Sequence, residues 1–301
     1  MAFLTLMVKN IVLECNQVTT AMKYASFIID GRHTFGTMTG NSVREAGEIL
    51  RSRFADLRSV IAANALPELG ADMTGETFSL AEISFLPLIP NPDKIICVGV
   101  NYRPHIEEMG RQVPDYPVLF VRFPGSMVGH GQAIIRPEVS EKYDFEGELA
   151  IVIGKPARHV KREDALDYIA GYCCFMDGSV RDWQKHTIQF TAGKNFSKSG
   201  AIGPWLVSQD EVPVPAALQL TTRVNQQVMQ QGSLGELLFD IPQLIEYCST
   251  FTELLPGDVI ATGTPGGVGA ARTPPAWLRD GDEVEVDITG LGQLRNVVKN
   301  E

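Results

Sequence analysis

No run of this 301-residue chain reaches the roughly 18 to 20 consecutive apolar residues that cross a bilayer, which excludes a transmembrane helix. Basic clusters are missing as well. The 36 Asp and Glu outnumber the 26 Lys and Arg, and the formal charge of -10 has no local run of Lys or Arg to offset it. Such a surface repels phosphate backbones and anionic lipid heads, so nucleic acid and membrane are not expected partners. Cysteine is sparse: Cys15, Cys97, Cys173, Cys174 and Cys248 are odd in number and show no Cys-x-x-Cys spacing. That usage fits a reducing cytoplasm. Residues 1–15 are apolar but lack the order of a signal peptide, because Lys9 follows the first apolar run, Glu14 lies just beyond the second, and no small-residue cleavage site follows. Residues 1–21 read as an N-terminal extension that adds little to function, since residues 22–31 look like the first strand of a domain. Internal repeats and low-complexity segments are also absent. A glycine-rich stretch at residues 257–269 suggests a nucleotide loop, yet it lacks the Gly-Lys-Ser/Thr ending of a P-loop. Pro265 also occupies the place of a second glycine in a dinucleotide fingerprint, so nucleotide binding is excluded.

What is present is a globular composition, 44% apolar and 21% charged, sufficient for one large core or two smaller ones. Ser42-Val-Arg-Glu45 has the form of a capping box, and Ile49, Leu50, Phe54, Leu57, Val60 and Ile61 continue it at helical spacing, predicting one amphipathic helix to about Ala63. The proline-rich stretch at residues 86–92 sustains neither a helix nor a central strand, and places a domain boundary there. Beyond it the texture changes to short strands, at residues 94–100, 149–153, 172–176, 259–262 and 283–288, separated by Gly and Pro turns. Short helices are expected at residues 163–170, 180–185 and 242–251, the last capped by Asp240. The expected class is α+β, mainly β, with a small N-terminal α/β domain over residues 22–91 and a larger domain over residues 92–301.

The chemistry concentrates around Glu146 and Glu148. Residues two apart on a strand share a face, so both carboxylates aim at one point. Ala150 and Val152 continue their face, while Phe145, Leu149, Ile151 and Ile153 fill the other, so the strand is apolar on both sides. Acids there carry a large desolvation cost unless they meet a cation or a wet cleft. A solvated strand edge is the competing reading. Asp177 ends the apolar run from Gly171 and stands where a third ligand from a neighbouring strand would. Three hard oxygen ligands with no nearby Cys or His favour Mg2+ or Mn2+ over Zn2+.

His105 and Glu108, three apart after the strand at residues 94–100, become neighbours on a helical turn. A carboxylate beside an imidazole orients it as a general base for water requires, although the same spacing also occurs on ordinary helices. His33, His130, His159 and His186 have no such companion. Arg181, Gln184 and Lys194 can bind a carboxylate or steady an oxyanion, their bland reading being surface side chains. Backbone amides of the glycine-rich loop and the Thr264 hydroxyl can cradle a small anion.

Taken in order, the segments from Lys94 to His105, Phe145-Glu-Gly-Glu148, Gly171 to Asp177, Gly193-Lys194, Ile202-Gly-Pro-Trp205 and Gly257 to Gly267 resemble the fumarylacetoacetate hydrolase family over residues 92–298. The resemblance implies a mixed β-sandwich roll as the catalytic domain, usually in a homodimer, a smaller N-terminal domain and one divalent ion, Mg2+ or Mn2+, per subunit. It implies that Glu146, Glu148 and Asp177 hold the metal, and that His105 with Glu108 activates water on a loop that becomes helical over substrate. By the same resemblance Lys194 and Gln184 serve the developing oxyanion, while Arg181, Thr264, Tyr102 and Gly263 bind substrate. This chain departs from the common motif at Pro104, where an acid is more usual, and shows no fourth metal acid, so three protein ligands are expected. The leading expectation is hydrolysis of the C–C bond of a 2,4-diketo acid such as maleylpyruvate, fumarylpyruvate or a fumarylacetoacetate-like acid, in breakdown of aromatic compounds. Alternatives within the family are decarboxylation or isomerisation of oxaloacetate- or hydroxy-dienedioate-type acids, and hydrolysis of diketo-deoxy sugar acids. A non-enzymatic binder of small carboxylates is the remote alternative.

Overall fold

The computed structural model describes residues 22–110 and 112–301. The expected extension over residues 1–21, with Cys15, lies outside the described residues. Eight strands position the site: β1 (Lys23–Ile29), β2 (Ile95–Gly99), β3 (Gly147–Ile153), β4 (Ile169–Met176), β5 (Gly200–Ser208), β6 (Gln219–Val224), β7 (Gln227–Ser233) and β8 (Val259–Ala261). Among the described residues the larger sheet has twelve strands. Its main path runs Thr77–Ser79, Ser42–Glu45, Arg32–Thr39, β1, β5, β4, β3, β8, β2 and Val118–Arg122. A five-stranded sheet follows the order β7, β6, Glu283–Ile288, Gly292–Asn300 and Ile134–Arg136.

The alternation read from β3 becomes two cores on either side of one strand. Phe145, Leu149, Ile151 and Ile153 pack with Leu220, Val284, Val286 and Ile288 of the smaller sheet and with Leu244 and Ile245 of the helix Ile241–Phe251. Ala150 and Val152 face the opposite core, with Leu57, Val60, Ile61, Ile95 and Cys97. Both faces of β3 are thus dry, and all seven of its residues are buried. Each large aliphatic side chain there contributes roughly 1.5–3 kcal/mol of burial, which fixes the register that carries Glu146 and Glu148.

The N-terminal region departs from the sequence reading in its details. Ser42–Glu45 is a strand paired with Arg32–Thr39, not a helix cap. Its Glu45 is buried, paired with Arg32 and accepting the Thr34 hydroxyl at 2.6 Å. Partners outside the local segment therefore override the Ser-x-x-Glu signal. The single expected helix is two, Glu48–Arg53 and Leu57–Ala62, with buried Phe54 in extended conformation between them. Asp56 starts the second with a true capping box, accepting the Ser59 N–H at 2.7 Å. Ile49, expected on the apolar face, is 74% exposed.

Later elements follow the reading more closely. The helix at residues 242–251 is Ile241–Phe251, and Asp240 caps it by accepting the Gln243 N–H at 3.0 Å. The expected helix at residues 163–170 is a 3-10 stretch, Arg162–Tyr168, because Ile169 already belongs to β4. At residues 180–185 only Arg181–Gln184 is helical, since Ser179–Val180 pairs with Tyr143–Asp144. Across the proline-rich stretch the larger sheet is continuous, with Lys23 and Tyr24 of β1 opposite Val207 and Leu206 of β5.

Candidate active site

Glu146 and Glu148 flank Gly147 where β3 begins, and Asp177 directly follows β4, the neighbouring antiparallel strand. Gly147 stands opposite Met176, and the Asp177 N–H donates to the Glu146 carbonyl at 2.8 Å, so the ladder itself delivers the third acid beside the first two. One ligand oxygen from each of the three lies within 4.8 Å of the others. All three residues are buried. On the other side of β3, β8 runs parallel to β2 and turns away after Thr262. The turn is made at Gly263, whose φ of +101° and close approach to Asn101 and the Val98 carbonyl leave no room for a Cβ. Its N–H reaches Glu148 Oε2 at 2.8 Å.

Three buried cations meet this acid cluster. Lys194 Nζ lies 2.6 Å from Asp177 Oδ2 and 2.5 Å from Glu146 Oε2. Arg181 Nε donates to Asp144 Oδ2 at 2.7 Å, and its Nη2 stands 2.7 Å from Glu146 Oε1 in a charge contact whose angle falls short of a hydrogen bond. Arg122 Nη1 reaches Asp177 Oδ1 at 2.6 Å and the Gly178 carbonyl at 2.9 Å. Sequence reasoning missed Arg122 and Asp144. Asp144 carried a signal, because it shares the two-residue phase of Glu146 and Glu148; Arg122 did not, as it ends an apolar strand 55 residues before its partner.

Charge counting then tests whether a cation fits. Asp144, Glu146, Glu148 and Asp177 oppose Arg122, Arg181 and Lys194, four acids against three bases, all buried. Glu146 is held below the usual carboxylate range: burial opposes ionisation, but Arg181 and Lys194 outweigh it. Among the described residues no cation forms an ion pair with Glu148. Burial, reinforced by Asp177 and Glu146, pushes its carboxyl well above the usual range. An oxygen-only ligand set with one uncompensated buried acid fits a hard divalent cation, which would supply the missing positive charge.

Another side of the site is the six-residue helix Arg103–Glu108. His105 Nδ1 lies 2.7 Å from Glu108 Oε1, and Glu108 Oε2 accepts the Gly267 N–H at 2.8 Å, so one carboxylate orients the ring and ties the helix to the glycine-rich loop. Bonding at Nδ1 assigns the proton there and leaves Nε2 as the acceptor. His105 shares a cavity with Glu146, Glu148, Arg181, Gln184, Lys194 and Thr264. Phe120 and Phe190 form an apolar wall, edge to face with ring centres 5.7 Å apart. Lys185 lines the same cavity at an exposed position and has no ion-pair partner among the described residues.

The remaining expected site residues fall into two groups. Gln184 accepts from Arg181 Nη1 at 3.1 Å through its carbonyl, which leaves its amide nitrogen to donate into the cavity. The Thr264 hydroxyl donates to the Gly147 carbonyl at 2.9 Å and accepts from Gln230 Nε2 at 2.7 Å, so its one proton is committed inside the protein. Tyr102 and Gly263 do not line the cavity. Tyr102 is fully buried, its hydroxyl has no hydrogen-bond partner among the described residues, and burial, followed by the charges of Glu148 and Glu236, raises that hydroxyl far above its ordinary pKa. Val100, at the start of the loop, holds φ +61°, a conformation costing a β-branched residue about 1–3 kcal/mol. The adjoining Asn101 braces it by donating to Thr262 and Phe239 carbonyls at 2.8 and 3.1 Å.

The chain is similar to known proteins over most of its length. Residues 94–299 match the family model described as fumarylacetoacetate (FAA) hydrolase C-terminal. The chain is 42% identical over 235 residues to the oxaloacetate tautomerase YisK of Bacillus subtilis, covering 77% of each chain. It is 42% identical over 220 residues to the human mitochondrial oxaloacetate tautomerase FAHD2A, covering 72% of this chain and 70% of that one. Among solved structures, a fumarylacetoacetate hydrolase from the psychrophile Exiguobacterium antarcticum superposes with a TM-score of 0.83 at 35% identity, over 93% of this chain and 100% of that one. Among the described residues, no helix is long and apolar enough to cross a membrane.

Proposed function

The chain belongs to the fumarylacetoacetate hydrolase family, and from that premise we propose that it is a keto–enol tautomerase of a small 2-oxo diacid of the oxaloacetate type. The observation that carries the reading is the pairing of an uncompensated buried acid cluster with a carboxylate-tethered imidazole in one small cavity. The relatives named as oxaloacetate tautomerases favour this chemistry among those such a pair can perform. Hydrolysis of an acylpyruvate, the leading expectation from sequence, becomes the second reading. It keeps support from the same dyad, which would serve a water as well as a C–H bond, and from the solved fumarylacetoacetate hydrolase of the same fold.

Tautomerisation needs one base and a place for negative charge, and no water. His105 Nε2 would take a proton from C3 of the keto acid, while Glu108 holds Nδ1–H and steadies the imidazolium that forms. The electron pair of the broken C–H bond becomes the C2–C3 double bond, and the carbonyl electrons move onto O2. The Gln184 amide would donate to that oxygen, and return of the proton from the His105 imidazolium to it would complete the enol and regenerate the base. A divalent ion held by Glu146, Glu148 and Asp177 would supply the positive charge that makes the negative oxygen affordable in a buried site. At the rim, the Lys185 ammonium would meet the second carboxylate of a diacid.

The test follows the enol absorbance of oxaloacetate and deuterium uptake at its C3 carbon in the presence of Mg2+ or Mn2+. The expected result is acceleration well above buffer, lost by roughly 10²–10⁴-fold in His105→Ala. Pyruvate released from an acylpyruvate, with no acceleration of oxaloacetate exchange, would establish the hydrolytic reading instead. Evolved carbon dioxide would mark decarboxylation.

A further inference from the structure

We infer that Gln230, on β7 of the smaller sheet, is a positioning residue for the acid pair, its side-chain amide standing in for a strand that is absent beside Gly147. The inference rests on the metal-site part of the proposed function and is independent of the substrate.

The argument starts from the ladder. β8 pairs with β3 only from Ala150 to Val152, and a last bond runs from the Thr262 N–H to the Leu149 carbonyl. At Gly263 the chain turns away. The peptide groups around Gly147, between the two glutamates, are therefore left without a strand on that side, and buried backbone polar groups do not go unpaired. Gln230 fills the gap. Its Oε1 accepts the Gly147 N–H at 2.9 Å, and its Nε2 donates to Thr264 Oγ1 at 2.7 Å and to the Pro265 carbonyl at 2.9 Å. Thr264 closes the ring by donating to the Gly147 carbonyl at 2.9 Å. A glutamine amide carries the same donor and acceptor set as a peptide, which is why it can replace one.

Two packing facts show that the smaller sheet presses directly on this point. Thr222 of β6, opposite Gln230 in register, lies where a Cβ on Gly147 would come within 2.0 Å of its hydroxyl. A Cβ on Gly267 would meet the Met229 carbonyl of β7 at 2.2 Å. Gly147, on the larger sheet, is thus pressed directly by the smaller one, and Gln230 is 2% exposed. Because Glu146 and Glu148 are the residues on either side, the direction of both carboxylates depends on how that one peptide is held. The Thr264 hydroxyl, spent within the ring, acts on the acids by the same route.

The test is Mn2+ affinity of the full chain, read from the electron paramagnetic resonance signal of free Mn2+ during titration, with circular dichroism to establish folding. Gln230→Met keeps the volume and removes every hydrogen bond. It is expected to weaken Mn2+ binding by about 10–100-fold, the range for loss of an outer partner of a metal ligand. Gln231→Met, at the exposed neighbouring position, is expected to bind like the parent. Thr264→Val breaks the ring from its other side and is expected to weaken binding too, with a less than additive effect when combined with Gln230→Met. Parental affinity in a folded Gln230→Met protein overturns the inference. If that variant does not fold, parental affinity in Thr264→Val overturns it. If the parent chain itself binds no Mn2+, the metal site fails first and the inference falls with it.

Discussion

The acid cluster and the His105 helix face each other across one cavity and are built in opposite ways. Glu146, Glu148 and Asp177 stand at the adjoining ends of two central strands, which are paired on both sides farther along and buried between two cores. His105 and Glu108 sit on six residues of helix with no side-chain cap at the start, Pro104 in the first turn, and Gly110 at φ +61° just beyond the end. A helix that short has little stability of its own. One side-chain bond, from Gly267 to Glu108, ties it to the loop opposite. Under the proposed function the contrast separates two tasks: a rigid frame concentrates charge that could not survive in a mobile one, and a lightly held segment would move the proton. Changes to the frame should therefore alter metal binding and stability together, whereas changes to the helix should alter rate alone.

Glu148→Gln gives the largest expected effect. Removing this acid takes away a ligand oxygen and one negative charge, so Mn2+ affinity should fall by roughly a hundredfold or more, beyond the cost of losing an outer partner, and tautomerase activity with it. The metal-free protein should behave in the opposite sense. Burial, with Asp177 and Glu146 nearby, raises the Glu148 carboxyl in the folded state, so above the ordinary glutamate range the unfolded chain has released a proton that the folded chain still binds. Stability of the metal-free parent then falls as pH rises through that window, up to the raised folded value. Glu148→Gln removes the dependence and should raise the melting temperature of the metal-free protein at neutral pH. Thermal melts across pH, with and without Mn2+, check it; a lower melting temperature in the metal-free variant would show that Glu148 is already compensated by the protein alone.

Glu108→Ala comes next and acts on the other side of the comparison. It removes both the Nδ1 partner of His105 and the tie to Gly267. The expected loss in rate is about 10²-fold, within the range for a misdirected general base, with Mn2+ affinity unchanged. Limited proteolysis within residues 103–116 should become faster. Glu108→Gln keeps a hydrogen-bond acceptor for Gly267 and should restore protease resistance without restoring the rate, which separates tethering from proton transfer.

Legibility in the sequence followed the same division. The two-sided burial of β3 was visible in the alternation of residues 145–153, and the phase of Glu146 and Glu148 followed from it. The His105–Glu108 contact is three residues long and was legible as helical spacing. What the pattern could not hold were partners brought from far along the chain. Gln230 meets Gly147 across 83 residues and Arg122 meets Asp177 across 55, and neither separation leaves any local period. The same physics misled the reading at Ser42–Glu45, where a capping signal was overruled because Arg32 and Thr34 offered Glu45 better partners in a sheet. Thr264 shows the intermediate case: its place beside the site was legible, but the direction of its proton depends on Gln230.

Lys185→Gln is the smallest expected effect and the one that bears on substrate. Arg122, Arg181 and Lys194 are each held by buried acids, so they are poor candidates for a second substrate carboxylate. Lys185 lines the cavity, is exposed, and has no ion pair among the described residues. Solvent screening limits what one exposed ammonium contributes to about 1 kcal/mol, or roughly fivefold in affinity. The expected outcome is therefore a rise of about that size in KM for oxaloacetate, with kcat and Mn2+ affinity unchanged and with exchange at C3 of a monocarboxylic 2-oxo acid unaffected. Lys185→Glu should enlarge the KM effect, and added salt should shrink the difference between parent and variant. An equal effect on diacid and monoacid would mean that Lys185 shapes the helix Arg181–Gln184 and not the substrate. The rigid frame would then have to bind both ends of the diacid, and the division of labour across the cavity would be less complete than its architecture suggests.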